Sequence, residues 1–433
     1  MSKTNTKQGT NMVAIVTMIF LFGMISFVTN LAAPIGNIWK MQPQIAGSNT
    51  LAMMGNMMNF LAYLFMGIPA GNMLTKFGYK KTALIAIAVG FIGVFVQFLS
   101  GVVPGFPMNF ITYLLGAFIS GFSVCMLNTV VNPMLTLLGG GGKKGNQYVQ
   151  IGGTFNSLMG TLTPMLVGAM IGQLIAGKTV ISDVNPVLFT AMAIFAAAFI
   201  ILSFIKIQDP EQVADAAHAE SPWNYRHFVY GVIAIFVYVG VEVGIPGTLN
   251  LYLADPNNPA GMLDATSAAA VAGFVAGTYW FLMLIGRFVS SLISGKVSSK
   301  TQLTCTALVA LILVICAIFA PATVKVNMPA FTGASFAMVN VPLSALLLVL
   351  CGLCTSVMWG AIFNLAVEGL GAATNKASGL FMMMVVGGGI IPLLQGYLAD
   401  HLGYMASYWL IALGVAYILY FAVIGSKVSK RVK

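Results

Sequence analysis

The chain has 433 residues, of which 59% are hydrophobic and only 7% are charged. A soluble domain carries about 25% charged residues, so this composition excludes a protein whose whole surface faces water. Apolar runs of about 20 residues, each long enough to cross a bilayer as a helix, recur along the sequence. We therefore predict an all-α polytopic membrane protein.

Twelve of these runs are predicted to be transmembrane helices. They follow a short polar and basic stretch, MSKTNTKQGT, in which we find no signal-peptide cleavage site. The most charged internal stretch, KIQDPEQVADAAHAESPWNYRH, follows the sixth run and is predicted to be a cytoplasmic linker. We expect a six-helix bundle at 1–206, the linker at 207–226 and a second six-helix bundle at 227–433. The predicted spans are 12–36, 51–72, 82–101, 108–138, 147–176, 185–206, 227–253, 265–294, 301–322, 341–366, 376–398 and 403–425.

The distribution of positive charge predicts the orientation. If both termini are cytoplasmic, Lys40, Lys178 and Lys325 are the only ones of the 20 lysines and arginines that fall on the outer side. Cytoplasmic loops of membrane proteins carry such an excess of positive charge. The net charge of +10 then lies beside the anionic lipid of the bilayer, so no nucleic-acid partner is expected.

The first helix of each half carries the same short pattern. NLAAP (30–34) and EVGIP (242–246) each place a polar residue four positions before a proline, and the two pairs are offset by 212 positions. Because proline has no N–H, the carbonyl four residues earlier loses its helical partner. Irregular backbone at membrane depth is tolerated only against protein or a watery cavity. We therefore expect Asn30 and Glu242 to face a central cavity; the alternative is that the prolines only bend the helices.

Glu242 is the only carboxylate that lies deep in a predicted span. An intramembrane carboxylate indicates a functional site by default, although a protonated structural glutamate is the alternative. No second acid, base or metal ligand is available beside it, so no enzyme is expected. The five cysteines lie within spans and complete no metal site. No cofactor is expected either, since the glycine-rich LLGGGGKKGN (137–146) lacks the Ser or Thr that follows the lysine of a phosphate loop.

Polar amides within the spans are candidate ligand-binding groups. Asn128 and Asn132 are four residues apart and share one face of their helix. An amide both donates and accepts hydrogen bonds, as a sugar hydroxyl does, although amides also join helices to one another. Aromatic rings suit the apolar face of a pyranose. The candidate substrate-binding residues are Asn30, Asn128, Asn132, Asn156, Tyr238, Glu242, Asn250, Trp359, Asn364 and Gln395, with Trp280 as a further aromatic option.

Several motifs resemble those of one family. GNMLTKFGYKK (71–81) resembles the signature of the loop between the second and third spans of the major facilitator superfamily. NTVVNPMLTLLG, GGTFNSLMG, FVYVGVEVG, GRF and VVGGGIIPLLQGYLAD follow in order and resemble the bacterial fucose–proton and glucose/galactose symporter family. The resemblance implies two pseudo-symmetric six-helix bundles in the bacterial inner membrane, alternating access and a monosaccharide substrate. It also implies gating roles for Gly71, Lys76, Gly78, Lys80 and Arg287.

The chain departs from the fucose-type pattern at two positions. Members of that branch handle protons with an aspartate in span 1 and a glutamate in span 4, and the matching residues here are Asn30 and Asn128. Neither asparagine can carry a proton. A glutamate at the position of Glu242 is similar to the glucose/galactose branch, which includes sodium-coupled relatives.

We therefore expect a secondary active transporter that imports a hexose such as glucose, galactose or fucose. Glu242 is the candidate for proton coupling, and the coupling cation is either a proton or sodium. A sugar uniporter and a carrier of another small polar solute remain alternatives within transport. Outside transport, the alternative is a transporter-like sensor.

The predicted orientation can be tested by chemical labelling. Single cysteines in place of Lys143 and Lys296 should react with a membrane-impermeant thiol reagent only from the cytoplasmic side, because both loops are predicted to lie there. The measurement compares intact cells with inverted membrane vesicles. A cysteine in place of Lys178, which is predicted to be external, should show the opposite pattern, and labelling of positions 143 or 296 in intact cells would reverse the topology.

Overall fold

The structure is a computed structural model that describes residues 12–45, 47–138, 142–171, 174–175, 178–205, 221–255, 267–293, 297–370 and 374–428. The tail before residue 12, most of the predicted linker (207–220) and Lys296 lie outside the described residues. The side chain of Lys143 is likewise not described.

Helices account for most of the described chain, because a helix satisfies the backbone polar groups of an apolar segment internally. Short 3₁₀ turns precede α6 and α7, and a π-helical turn follows α14. The helices are α1 (Met12–Thr29), α2 (Ala32–Lys40), α3 (Asn49–Leu99), α4 (Met108–Leu138), α5 (Gly142–Ile171), α6 (Asn185–Phe204), α7 (Arg226–Ala254), α8 (Ala268–Ile293), α9 (Ser299–Phe319), α10 (Leu343–Thr355), α11 (Met358–Val367), α12 (Thr374–Met384), α13 (Gly387–Leu402) and α14 (Tyr404–Tyr420).

Within the described residues, twelve helical segments are long and apolar enough to cross a membrane, which confirms the predicted number. Each predicted span overlaps its observed counterpart, and the largest difference is at the start of span 3, predicted at 82 and found at Lys76. Spans 1 to 12 are Met12–Lys40, Asn49–Leu74, Lys76–Leu99, Met108–Leu135, Ile151–Ile171, Ile181–Phe204, Arg226–Ala254, Ala268–Ser290, Ser299–Phe319, Leu343–Val367, Gly379–Leu402 and Tyr404–Gly425.

Some of the described spans are interrupted within the membrane. The proline pattern explains the break in span 1, because Pro34 cannot donate to the carbonyl of Asn30. Span 7 instead continues as a single helix through Pro246. The breaks lie at Asn30–Leu31 in span 1, Ser356–Val357 in span 10 and Val385–Val386 in span 11.

The two halves of the chain meet along two lines of contact. One joins α5 to α8, and the other joins α3 to α12 and α13; a smaller contact joins α2 to α7. Small residues allow the first pair to approach closely: a Cβ added to Gly273 would overlap the carbonyl of Pro164, and one added to Gly168 would overlap that of Ala269. We call the side where span 1 begins the terminal side and the opposite side the far side; the predicted topology makes the terminal side cytoplasmic.

A β-hairpin on the far side was not predicted from the sequence. Strands β1 (Lys325–Phe331) and β2 (Phe336–Pro342) pair antiparallel between α9 and α10. Its tip turns at Gly333, whose φ of 95° suits glycine. The stretch is short and apolar, so its composition does not distinguish it from the ends of the neighbouring spans.

Polar contacts between the halves close the far side of the bundle. The Lys40 ammonium lies 2.7 Å from the Asp255 carboxylate, and their side chains are 2% and 13% exposed. Tyr404 donates to the same carboxylate at 2.7 Å and is also bonded to Lys40. One turn deeper, the Asn37 amide donates to the Asn250 side chain at 2.6 Å. We call these five residues the far-side gate.

A second contact reinforces this closure. The Asp400 carboxylate, in the second half, accepts hydrogen bonds from the backbone N–H groups of Asn49 and Thr50 at 2.6 and 2.9 Å. It also accepts from the hydroxyls of Ser48 and Thr50 at 2.8 and 2.6 Å. Unpaired N–H groups at the start of a helix favour an anion, so Asp400 caps α3 from the opposite half of the protein.

Removing the charge of Lys40 should open the far side. Lys40→Met leaves Asp255 buried without its cation in the closed form, and an unpaired buried charge is strongly unfavourable. Gly360→Cys supplies the reporter, because Gly360 lines the central cavity and an added Cβ there has no neighbour within 4 Å. In protein lacking Cys305 and Cys316, an impermeant thiol reagent added from the far side should react with position 360 about fivefold faster or more.

The matched control is Lys178→Met, which removes an exposed lysine on the same side. It should leave the rate of labelling at position 360 unchanged. Equal rates in the Lys40 variant and the unmodified protein would show that the ion pair does not hold the far side closed.

Candidate functional site

A cavity of about 600 Å³ lies between the two halves and extends to the terminal-side ends of α8 and α9. Helices α1, α3, α4 and α5 supply one wall, and helices α7, α8, α9, α11 and α12 supply the other. Most of the predicted substrate-binding residues meet on these walls, together with Arg287. Those that line the cavity are Asn30, Asn128, Asn132, Asn156, Glu242, Trp359 and Asn364.

Asparagine side chains define the polar character of the first wall. Asn30 donates from its amide nitrogen to the Ser26 carbonyl at 2.9 Å. Asn156 donates to the Phe22 carbonyl at 2.8 Å, which joins α5 to α1. These bonds orient each amide, and its side-chain oxygen can accept a hydrogen bond from a hydroxylated ligand.

Span 4 contributes the predicted pair of amides. Asn128 donates to the Tyr63 hydroxyl at 2.6 Å, and Asn132 donates to the backbone carbonyl of Asn128 at 3.3 Å. Both side chains lie on the cavity wall, as does Tyr63. Tyr63 was not among the predicted site residues, because a tyrosine in an apolar run gives no sign of which face it occupies.

The second wall carries the charged groups of the cavity. The Arg287 guanidinium lies 3.7 Å from the Glu242 carboxylate, and the side chains are 21% and 14% exposed. The Tyr238 hydroxyl donates to the same carboxylate at 2.8 Å. A carboxylate in a membrane interior requires a cation or hydrogen-bond donors, and Glu242 has both.

Arg287 also connects the halves on the terminal side of the cavity. It donates to the Gly153 carbonyl at 3.1 Å and to the Ser157 hydroxyl at 2.8 Å, and both acceptors lie on α5. A guanidinium has five N–H donors, so one side chain can serve all these partners. Glu242 is therefore linked through a single arginine to the opposite half of the protein.

Aromatic rings complete the cavity. Trp280 and Trp359 both lie on its wall, and Trp359 packs near Tyr238, with ring centroids 6.2 Å apart. A cavity with amide oxygens on one side and indole rings with a charge pair on the other suits a small molecule with both hydroxyls and an apolar face.

Three predicted substrate-binding residues lie elsewhere. Tyr238 is fully buried behind Glu242, so its hydroxyl contacts the site while its ring does not line the cavity. Asn250 belongs to the far-side gate, where it accepts from Asn37. Gln395 is fully buried in α13 against Gly244 of α7. The sequence predicts that these side chains lie within spans, but it does not show which face of its helix each one occupies.

The predicted gating residues of the loop between spans 2 and 3 lie on the terminal side. Gly78 has φ 78° and ψ 175°, which turns the chain between spans 2 and 3. Lys80 donates to the Ser203 carbonyl at 2.8 Å, within the first half. Lys76 lies over the Phe77 ring, and Gly71 has open space around it. Arg287, the fifth predicted gating residue, lies instead in the cavity wall.

The fold and the cavity define a membrane transporter with two halves around a central cavity. The chain belongs to the Major Facilitator Superfamily, whose family model matches residues 13–381. It is 29% identical over 427 residues to a glucose/galactose transporter of Brucella abortus, covering 97% of this chain and 95% of that protein. It is 26% identical to the L-fucose-proton symporter of Escherichia coli, covering 84% of this chain and 82% of the symporter.

A solved structure supports the same fold. The crystal structure of the Escherichia coli fucose:proton symporter, in a variant with one asparagine replaced by alanine, matches with a TM-score of 0.65 at 20% identity. The match covers 95% of this chain and 98% of that chain. The predicted fold of twelve transmembrane helices is thereby confirmed.

Proposed function

We propose that this protein is a secondary active transporter that imports a monosaccharide in symport with protons. The observation that carries the proposal is a cavity that combines an amide wall, two tryptophans and the Glu242–Arg287 pair. The relatives named as a glucose/galactose transporter and an L-fucose-proton symporter support a sugar substrate and proton coupling.

The cavity walls match the chemistry of a hexose. Sugar hydroxyls can donate to the side-chain oxygens of Asn30, Asn128 and Asn156, whose nitrogens are bonded to the protein. The indoles of Trp280 and Trp359 offer faces for the C–H side of the ring. Asn364, beyond Trp359 on α11, offers a further amide in the second half.

Glu242 is the proton carrier in this proposal. An ionised Glu242 pairs with Arg287 and accepts from Tyr238, whereas a neutral Glu242 has no charge to offer the guanidinium. The ion pair therefore forms and breaks with the proton. Arg287 keeps its bonds to α5 in the described state, so the change at Glu242 acts where the two halves meet.

Transport proceeds by rocking of the predicted bundles, 1–206 and 227–433, around the cavity. In the described state the far-side gate is closed and the cavity reaches Ser290, Ser299 and Gln302 on the terminal side. With the predicted orientation in the bacterial inner membrane, this state releases sugar and proton to the cytoplasm. Opening the far side requires the Lys40–Asp255 pair to separate.

The proposal is tested by uptake of labelled D-glucose, D-galactose and L-fucose into proteoliposomes, with proton and sodium gradients imposed separately. A proton gradient alone should drive accumulation. Accumulation only with a sodium gradient would make sodium the coupling cation, and equilibration without accumulation would make the protein a uniporter.

Glu242→Gln should separate coupling from transport. Glutamine keeps the shape of glutamate and can accept from Tyr238, but it cannot release a proton. The variant should exchange sugar at equal concentrations on both sides and should fail to accumulate it against a gradient. Glu368→Gln makes the same change at an exposed position and should accumulate sugar normally. Normal accumulation by Glu242→Gln would exclude Glu242 as the proton carrier.

Asn132→Leu should weaken sugar binding without unfolding the protein. Loss of one net hydrogen bond is worth about 0.5–1.5 kcal/mol, so the dissociation constant of purified protein for D-glucose should rise about twofold to tenfold. Binding is measured by equilibrium dialysis, with Asn327→Leu on the exposed β-hairpin as the control. Unchanged affinity would assign this face of span 4 to helix packing.

A further inference from the structure

The break in span 10 is held by the same tyrosine that contacts Glu242. The Tyr238 hydroxyl lies 2.8 Å from the Glu242 carboxylate and 3.2 Å from the backbone carbonyl of Thr355. Thr355 is the last residue of α10, and α11 begins at Met358. The last carbonyls of a helix have no partner within it, so Tyr238 supplies a donor to a carbonyl at the broken end.

A second tyrosine fixes the same residue from α8. Tyr279 and the Thr355 hydroxyl are 2.8 Å apart, and that hydroxyl donates in turn to the Cys351 carbonyl at 3.1 Å. Because the Thr355 hydroxyl donates its proton to a carbonyl within α10, the Tyr279 hydroxyl is the donor to the Thr355 hydroxyl oxygen. Tyr238, Tyr279 and Thr355 are all fully buried, so their bonds are made without competition from bulk water.

The Tyr238 hydroxyl has one proton and two acceptors. It cannot serve both fully, and a hydrogen bond to an ionised acceptor is about twice as strong as one between neutral groups. An ionised Glu242 therefore draws the Tyr238 proton away from Thr355. A neutral Glu242 can donate its own proton to the Tyr238 oxygen, which leaves the tyrosine proton for the Thr355 carbonyl.

We propose that Tyr238 is a positioning residue that transmits the protonation state of Glu242 to the break in span 10, and through it to Trp359 and Asn364. Both of these residues line the cavity, and both are on α11, the helix that follows the break. The inference rests on the proposed proton-coupled sugar transport, and it supplies the route by which the proton and the sugar influence each other. No proton leaves Tyr238 in this exchange; its hydroxyl only rotates between two acceptors.

The groups around Glu242 come from three helices of the second half. Arg287 and Tyr279 approach from α8, Tyr238 lies on α7 itself, and Thr355 ends α10. Arg287 contacts the carboxylate but not the carbonyl of Thr355 in the described structure. Among these groups, Tyr238 is thus the side chain that contacts both the carboxylate and the break.

The test compares the pH dependence of two variants. In purified protein, D-glucose should bind at least about fivefold more tightly at pH 5.5 than at pH 8.5, because the proposal requires the protonated form of Glu242 to favour sugar binding. Tyr238→Phe keeps the ring and removes the hydroxyl, so this ratio should fall close to one. Tyr408→Phe is the matched control, because the fully buried Tyr408 also donates to a carbonyl of α7, that of Ile245, at 2.9 Å, and has no contact with Glu242. It should keep the fivefold ratio.

A sugar-free measurement keeps the two proposals distinct. The fluorescence of Trp359, obtained by subtracting the spectrum of Trp359→Phe, should change between pH 5.5 and 8.5 in the unmodified protein and in Tyr408→Phe. It should stay constant in Tyr238→Phe. In Glu242→Gln, which is neutral throughout, it should remain at its low-pH value.

Three further outcomes of these measurements would support or overturn the role of Tyr238. A Tyr238→Phe protein that keeps the full ratio with a displaced midpoint would overturn the inference, since the tyrosine would then act on the carboxyl alone. A pH-dependent Trp359 signal in Glu242→Gln would overturn it even if Tyr238→Phe did not fold. If the Trp359 fluorescence changes as predicted but D-glucose does not bind, the link between Glu242 and the break in span 10 is supported, and D-glucose is excluded as the substrate.

Discussion

A charge within a bilayer must be paired, and the pairing of Glu242 with Arg287 is the constraint on which the rest of this structure depends. The carboxylate lies on α7 and the guanidinium on α8, in the second half. The arginine then reaches α5 of the first half through Gly153 and Ser157. Arg287 therefore neutralises the charge of Glu242 and also joins the two halves beside the cavity.

On the far side of the bundle a buried charge is also paired, but there the two partners come from different halves. Lys40 and Asp255 come from different halves, so their pairing is possible only when the halves are closed on that side. Asp400 adds a helix cap that likewise crosses between the halves. The ion pairs described here thus lie at the far side and beside the cavity, while the outside of the spans carries apolar side chains such as Phe204 and Leu413, which are 84% and 67% exposed.

The sequence predicted the helices well, because span length and hydrophobicity are local properties that the bilayer dictates. It also predicted that Asn30 and Glu242 line one cavity: Asn30 lies at the proline break of span 1, whereas Glu242 lies in an unbroken helix, where an intramembrane carboxylate needs polar partners. It could not assign the locations of Asn250 and Gln395, because an amide inside a span can lie equally well at a gate, at a contact between helices or beside a ligand. Nor did it identify Gly153 and Ser157 as partners of Arg287, since these two residues lie more than 100 positions away in the chain.

The far-side gate also reflects the pseudo-symmetry of the two halves. Asn37 and Asn250 are 213 positions apart, close to the offset of 212 between the repeated proline patterns, so they occupy nearly equivalent places in the two halves. Two identical amides can satisfy one another across a pseudo-twofold axis, because each carries a donor and an acceptor. Two identical charges cannot, since they repel. The Lys40–Asp255 pair instead joins unlike residues, one from each half, so each side of this contact recognises only its opposite.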